Sequence, residues 1–111
     1  MVIARTLLFL FLLVCSAVPV LADVKIFVTN DVHGYVADNP EKKNIGYARL
    51  KAVADGARAE GHAVFVLDAG DAFSGSAFAL IDQGRSVAKL MGQVGYRVLT
   101  PGNHAFYYTL S

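Results

Sequence analysis

Strand-like and helix-like segments alternate along the chain from residue 24 onward. Three short segments have the β-branched and aromatic composition of strands, and they span residues 24–30, 63–69 and 97–100. Between them, apolar residues recur with helical spacing over residues 47–57 and 87–94. Gly61 is placed to end the first of these predicted helices and Gly95 to end the second. The order β-α-β-α-β predicts an α/β fold in which right-handed crossovers join three parallel strands.

The middle predicted strand is apolar on both of its faces, as the run VFVL at residues 64–67 indicates. Because side chains alternate across a strand, a sheet built on this segment needs cover on both sides. The two crossover helices lie on one side of the sheet and cover one face only. We therefore expect the other face to need a layer that this sequence does not supply.

The first 22 residues have the layout of a secretory signal peptide. Arg5 gives a positively charged start, residues 7–14 form an unbroken apolar run, and Val20-Leu21-Ala22 fits the small-residue cleavage pattern. This layout predicts an exported protein that is cleaved near Ala22. The mature chain would then lie in the periplasm or outside the cell.

Two other interpretations of the amino-terminal segment are weaker. A stable membrane anchor is disfavoured, because the apolar run is too short to span a bilayer and Pro19 interrupts the residues after it. A lipid-modified Cys15 is disfavoured, because Val14 is bulkier than that processing normally accepts. Since Cys15 is the single cysteine, a chain cleaved after it would depend on its core and not on disulfides.

Charge and glycine patterning argue against three kinds of nucleic-acid or nucleotide site. The formal net charge of +1 gives no electrostatic basis for binding a nucleic acid polymer. A Walker-type loop is disfavoured because the turn GDAFSGS, residues 70–76, is not followed by lysine. A Rossmann loop is disfavoured because the chain contains no Gly-x-Gly-x-x-Gly sequence.

Polar clusters follow each of the three predicted strands. They read DVH at residues 31–33, GD at residues 70–71 and GNH at residues 102–104. Since parallel strands end at the same edge of a sheet, where ligands of open α/β sheets bind, the clusters are expected to converge. Their oxygen and nitrogen donors suit Mn, Zn, Fe or Mg better than a thiolate-loving ion. Asp68, just before the second cluster, is expected to bond to nearby backbone.

The segments TNDVHG, LDAGDAFSGS and VGYRVLTPGNHAF, in this order, resemble the calcineurin-like metallophosphoesterases, and in particular their exported 5′-nucleotidase branch. The resemblance covers residues 24–106. It implies a four-layer α/β/β/α sandwich, of which this chain would form the β-α-β-α-β half. Residues 23–111 would therefore be a partial, apparently truncated catalytic domain that follows a signal peptide at residues 1–22.

The resemblance also implies a role for each residue of the site. Asp31 and His33 would bind a first metal ion, Asp71 would bridge two ions, and Asn103 would bind the second. His104 would approach the phosphate of the substrate. The cofactors would be two divalent ions (Mn, Zn, Fe, Mg or Ca), which activate a hydroxide for attack on the phosphate of a nucleotide or related ester.

Two departures from the family pattern shape the functional expectation. Tyr107 and Ala105 stand where the family often places an acidic residue after the Asn-His pair. The chain also has only three histidines, of which His62 is expected to be a solvated loop residue. We therefore expect an incomplete copy with little activity alone, which a complementing carboxyl-terminal half would complete. The alternative is a non-catalytic, degenerate secreted module with at most weak metal binding.

Overall fold

The computed structural model of the protein describes residues 23–108, so the predicted signal peptide lies outside the described residues. Three strands form one parallel sheet in the order β1-β2-β3: β1 is Val24–Thr29, β2 is Ala63–Asp68 and β3 is Tyr96–Leu99. The predicted α/β class and the parallel sheet are confirmed. Each strand lies within one residue of its predicted bounds at either end.

The register of the strands aligns their carboxyl ends. Thr29 at the end of β1 pairs with Asp68 at the end of β2, and Asp68 pairs in turn with Leu99 at the end of β3. A shift between Val66 and Leu67 interrupts the pairing of β2 with β3, but it leaves this alignment intact. The three segments that follow the strands therefore leave the sheet side by side.

Three α-helices connect the strands. Helix α1 is Gly46–Ala59, α2 is Ala77–Ile81 and α3 is Arg85–Val94. Helix α3 ends where Gly95 adopts a left-handed conformation with a φ of 94°, which glycine tolerates without steric cost. None of the helices in residues 23–108 is long and apolar enough to cross a membrane.

Short helical turns supplement these elements. Periodicity did not predict helix α2. Ser76 caps its amino terminus, since the Ser76 hydroxyl oxygen accepts a hydrogen bond from the Ala79 amide at 3.1 Å. Two 3₁₀ helices follow the first and third strands, at Pro40–Lys42 and Asn103–Tyr108.

The core lies between the sheet and the helices on one of its faces. Helices α1 and α3 contact each other, α1 packs on β2, and α3 packs on β3. Val66 and Val87 are the largest side chains that are fully enclosed. The complete buried apolar set is Tyr47, Leu50, Ala54, Val66, Ala72, Ala79, Val87, Met91 and Val94.

The other face of the sheet is exposed in the part of the chain that the structure describes. The side chains of Ile26 and Val28 on β1 are 60% and 61% exposed, although both are apolar. Register places Phe65 beside Ile26, and Phe65 is also exposed. Val98 on β3 continues the exposed surface. The predicted bare face is therefore present, and these four side chains define the open face of the sheet.

Candidate metal centre

Main-chain hydrogen bonds join the segments after β1 and β2 beyond the ends of the strands. The Asp31 amide donates to the Gly70 carbonyl at 3.0 Å, and the His33 amide donates to the Asp71 carbonyl at 2.9 Å. These bonds continue the pairing of the two strands into the polar clusters. They hold Asp31 and His33 next to Asp71. This proximity was expected, because the carboxyl ends of parallel strands lie at the same edge of the sheet.

Three residues of these clusters have a left-handed backbone without being glycine. The φ angles are 54° at Asp31, 50° at His33 and 57° at Asp71. Side chains with a Cβ adopt this region rarely, and each such residue costs on the order of 1–3 kcal/mol. The inter-segment hydrogen bonds stabilise the strained turns. Strain that recurs at three neighbouring polar residues is typical of a functional site.

A backbone carbonyl determines which nitrogen of His33 can bind a metal. The Nδ1 atom lies 3.0 Å from the carbonyl oxygen of Ser74. Because a carbonyl oxygen only accepts, this contact requires the proton to be on Nδ1, which leaves the lone pair on Nε2. Nε2 also lies 3.6 Å from Oδ1 of Asp31. Such a carbonyl contact is the usual support of a metal-binding histidine.

The third cluster, residues 102–104, contacts the Asp71 carboxylate directly. The His104 amide donates to Oδ1 of Asp71 at 2.9 Å, and Gly102 packs against the same carboxylate. The rings of His33 and His104 meet edge to face, with centroids 5.1 Å apart and planes at 82°. One donor atom from each of His33, Asp71 and His104 lies within 4.8 Å of the other two.

This donor set fits a divalent transition-metal ion. Two imidazoles and one carboxylate are the nitrogen and oxygen ligands that Zn, Mn and Fe accept in proteins. His33 and His104 are both half-buried, so this side of the group is partly open to water. Three protein ligands leave further coordination positions open, as catalytic sites require.

The structure brings together some of the predicted ligands more closely than others. His33 and Asp71 belong to the three-residue group, and so does His104, which the resemblance places at the phosphate. Asp31 lies beside this group, with its carboxylate next to His33. Asn103 is exposed at the start of its 3₁₀ helix. The division of these residues between metal and substrate remains a prediction.

His62 lies away from the group, before β2 and therefore at the amino-terminal end of that strand. Its Nε2 atom is 3.4 Å from a carboxylate oxygen of Glu60. This position agrees with the expectation that His62 is a loop residue.

A buried polar network supports the turn that carries Asp71. The Asp68 side chain accepts hydrogen bonds from the Thr29 hydroxyl at 2.6 Å and from the Gly70 amide at 3.0 Å. Asp68 is only 2% exposed, and its bond to Gly70 confirms the expected link to nearby backbone. The link to Thr29 has no local sequence signal, because it depends on the alignment of two strand ends.

Tyr96 extends this network from β3. Its hydroxyl lies 2.9 Å from the Thr29 hydroxyl oxygen. Since Thr29 gives its single proton to Asp68, Tyr96 donates to Thr29. Burial raises the pKa of Tyr96, so its hydroxyl keeps the proton that it donates. The network thus links the carboxyl ends of β1 and β2 to the first residue of β3.

Histidine and carboxylate donors lie together at the carboxyl ends of parallel strands. This arrangement is typical of metal-binding α/β proteins. Within that class, the chain belongs to the calcineurin-like phosphoesterase family, whose sequence model matches residues 24–111. The resemblance seen in the three motifs is thereby confirmed.

Curated relatives are named as nucleotidases. The chain is 33% identical over 103 residues to a snake venom 5′-nucleotidase of Gloydius brevicauda, covering 83% of this chain and 18% of that protein. It is 35% identical over 94 residues to the 5′-nucleotidase of Bos taurus, covering 76% and 16%. A probable 5′-nucleotidase of Treponema pallidum is 32% identical, with the same coverage. The chain thus spans less than a fifth of the length of these relatives.

Proposed function

We propose that the site serves the metal-dependent hydrolysis of a nucleotide phosphate ester, as in a 5′-nucleotidase. The observation that carries this proposal is the convergence of His33, Asp71 and His104 within 4.8 Å. Family membership and the names of the relatives support the reaction class. Nucleotides and related phosphate esters are the proposed substrates.

Each polar residue of the site would have a distinct part in this reaction. His33, through Nε2, and Asp31 would hold one divalent ion, and Asn103 would hold a second through its side-chain oxygen. Asp71 would bridge the two. Bound divalent ions would supply Lewis acidity and an activated water for attack on phosphorus. His104 would stabilise the phosphate or protonate the leaving oxygen.

Asp71 would also position His104. Its Oδ1 atom accepts the hydrogen bond from the His104 amide, which fixes the start of the third cluster relative to the second. The Asp71 carboxylate would then bind the ions and also hold His104, the residue that faces the phosphate, in position. Movement of the Asp71 carboxylate would disturb both functions together.

The second candidate is a non-catalytic module that binds one ion. It is favoured by the small ligand set of the second ion, for which residues 23–108 offer Asp71 and the exposed Asn103. Few protein ligands mean weak binding of that ion. The two candidates therefore differ in turnover and not in binding of the first ion.

Titration of the full chain with Mn²⁺ tests the site. We expect calorimetric binding in the parent chain and its loss in Asp71→Asn, with Asp55→Asn on the surface of α1 as the matched control. Phosphate release from AMP then separates the candidates. Release that requires Mn²⁺ and disappears in Asp71→Asn supports the hydrolase, whereas Mn²⁺ binding without release supports the non-catalytic module.

We further propose that residues 1–22 direct export and that a complementing carboxyl-terminal half covers the open face with a second sheet. The first proposal rests on the signal-like layout, and the second on the exposed apolar side chains of β1 and β2. Mass spectrometry of the secreted protein tests the first, with Asp23 as the expected mature amino terminus. A mature protein that begins at Met1 would contradict it.

A further inference from the structure

A groove lies next to the group formed by His33, Asp71 and His104, which we call the metal group, and Asp31 lines the groove. Its volume is about 380 Å³, which is within the range of small-molecule sites. The segment after β1 and the loop that contains the first 3₁₀ helix form its walls. The lining residues are Asn30, Asp31, Val32, Tyr35, Lys42, Lys43 and Asn44.

Hydrogen bonds close the loop that carries the two lysines. Asn39 and Asn44 exchange main-chain bonds of 2.7 and 3.0 Å, and the Asn44 side chain donates to the Tyr35 carbonyl at 2.6 Å. The Lys43 amide donates to the Pro40 carbonyl at 3.1 Å. The loop is thus held in one conformation before any ligand arrives, which reduces the entropic cost of binding.

Lys43 adopts a backbone conformation that lysine seldom takes. Its φ is 56°, in the left-handed region. A residue with a Cβ in this region is uncommon and often marks a functional turn. Here the turn places Lys43 in the wall of the groove, next to Lys42.

The lining of the groove has a net positive charge, because it contains two lysines and one acidic residue. Neither lysine forms an ion pair among residues 23–108, and the nearby Asp38 lies 3.7 Å from Arg49 instead. The Lys42 ammonium lies 5.3 Å from the centre of the Tyr35 ring, a cation–π contact that keeps its charge at the groove. Asp31 is the one acidic lining residue, and a bound ion would offset its charge.

We propose that this groove binds a second phosphate of the substrate, so that the preferred ligands carry two phosphate groups. The inference rests on the proposed function, because it places the reacting phosphate at the metal group beside Asp31. The ammonium groups of Lys42 and Lys43 supply charged donors for phosphate oxygens. A nucleoside diphosphate and a nucleoside bisphosphate both offer this chemistry.

Calorimetry on the full chain with saturating Mn²⁺ tests the proposal with AMP, ADP and adenosine 3′,5′-bisphosphate. We expect at least one two-phosphate ligand to bind about tenfold more tightly than AMP, a gain of the size that one charged hydrogen bond gives. The ligand with the larger gain identifies the spacing of the two phosphates. Equal affinity for all three ligands would overturn the proposal.

A variant with Lys42→Ala and Lys43→Ala assigns the gain to the groove. We expect the variant to lose the preference while its affinities for AMP and Mn²⁺ stay unchanged. Lys89→Ala, on the exposed surface of α3 outside the groove, is the matched control. A preference that survives in the double variant would place the second phosphate elsewhere and refute the assignment.

A metal-free measurement separates this inference from the proposed function. With EDTA present, we expect inorganic pyrophosphate to bind the parent chain and the double variant to bind it at least about threefold more weakly. If Mn²⁺ fails to bind but the pyrophosphate difference persists, the hydrolase proposal fails and the anion site stands. If pyrophosphate binds both chains equally, the groove is not an anion site.

Discussion

Gly102 and Asp71 are in direct contact across the site, with the main chain of one against the carboxylate of the other. A Cβ atom built on Gly102 would overlap Oδ1 of Asp71 and would lie 2.6 Å from the Asp71 amide nitrogen. No side chain fits in that space. The glycine of the third cluster therefore leaves room for the carboxylate of the second.

We predict that Gly102→Ala weakens metal binding by about tenfold or more, because displacing Asp71 removes a charged ligand contact. The new methyl group collides with backbone as well as with the carboxylate, so the conflict is not relieved by a rotamer change alone. Calorimetric titration with Mn²⁺ measures the effect. Gly92→Ala is the matched control, since a Cβ at Gly92 meets nothing within 4 Å. Unchanged affinity in Gly102→Ala would contradict the predicted role of Asp71.

The buried carboxylate of Asp68 gives a second prediction. Asp68→Ala leaves the Thr29 hydroxyl and the Gly70 amide without their acceptor. An unsatisfied buried group costs about 1–3 kcal/mol. Because Gly70 is buried but Thr29 is only half-buried, we expect a loss of about 2–4 kcal/mol in the free energy of unfolding. Urea denaturation measures it. Asp68→Asn keeps one oxygen acceptor and should lose less, and equal losses in the two variants would show that the hydrogen bonds are not the cause.

Local patterns were sufficient to predict the strands and the two longer helices. The apolar residues of α1 and α3 recur with helical spacing because each helix buries one face, and Gly95 marks the end of α3. Helix α2 could not be found in this way. It has five residues, and it depends on the cap at Ser76, which in turn bonds to the Gly34 carbonyl across the structure.

The sequence was sufficient to predict which segments form the candidate site, but not the contacts between their residues. Parallel strands bring their carboxyl ends together, so the convergence of three polar clusters results from chain order. Which ring nitrogen of His33 carries the proton depends instead on a contact with the Ser74 carbonyl, which is 41 residues away in sequence. The loop that carries Lys43 depends on pairing between Asn39 and Asn44, for which the sequence has no periodic signal.

Helix α1 contains a glycine that offers a stability test away from the site. A Cβ at Gly56 would meet nothing within 4 Å. We therefore expect Gly56→Ala to stabilise the protein by about 0.5–1 kcal/mol, because alanine loses less backbone entropy in a helix. The melting temperature should rise by roughly 2–8 °C for a domain of this size. A fall would indicate a contact that the helix surface does not show.

The open face predicts self-association through β1. Ile26→Thr with Val28→Thr keeps β-branched residues in the strand while reducing the exposed apolar surface. We expect sedimentation velocity to show less association of the full chain in this double variant. Val53→Thr, which changes an apolar residue of α1 that is 50% exposed, is the control. Equal association in the parent and both variants would mean that the open face is not the contact surface.

Acid sensitivity of the turn before α3 provides the last prediction. Hydrogen bonds from the Ser86 hydroxyl, and then from its amide at 2.8 Å, hold the pKa of Asp82 below its usual range, with nearby Arg85 acting in the same direction. A carboxylate with a lowered native pKa binds fewer protons in the folded state than in the unfolded state. It therefore stabilises the fold above the unfolded-state pKa of about 3.9, and this contribution is lost as the pH falls through the lower native value.

Asp82→Asn separates the charge of Asp82 from its hydrogen bonds, because the amide oxygen can still accept from the Ser86 amide. We expect the variant to melt at a lower temperature than the parent at pH 7, where Asp82 is ionised. The difference should narrow as the pH falls below about 4, since the parent loses the same charge by protonation. Thermal unfolding of both proteins at pH 7 and at successively lower pH values measures the gap. A gap that does not narrow at acid pH would show that a contact other than the carboxylate charge stabilises the start of α3.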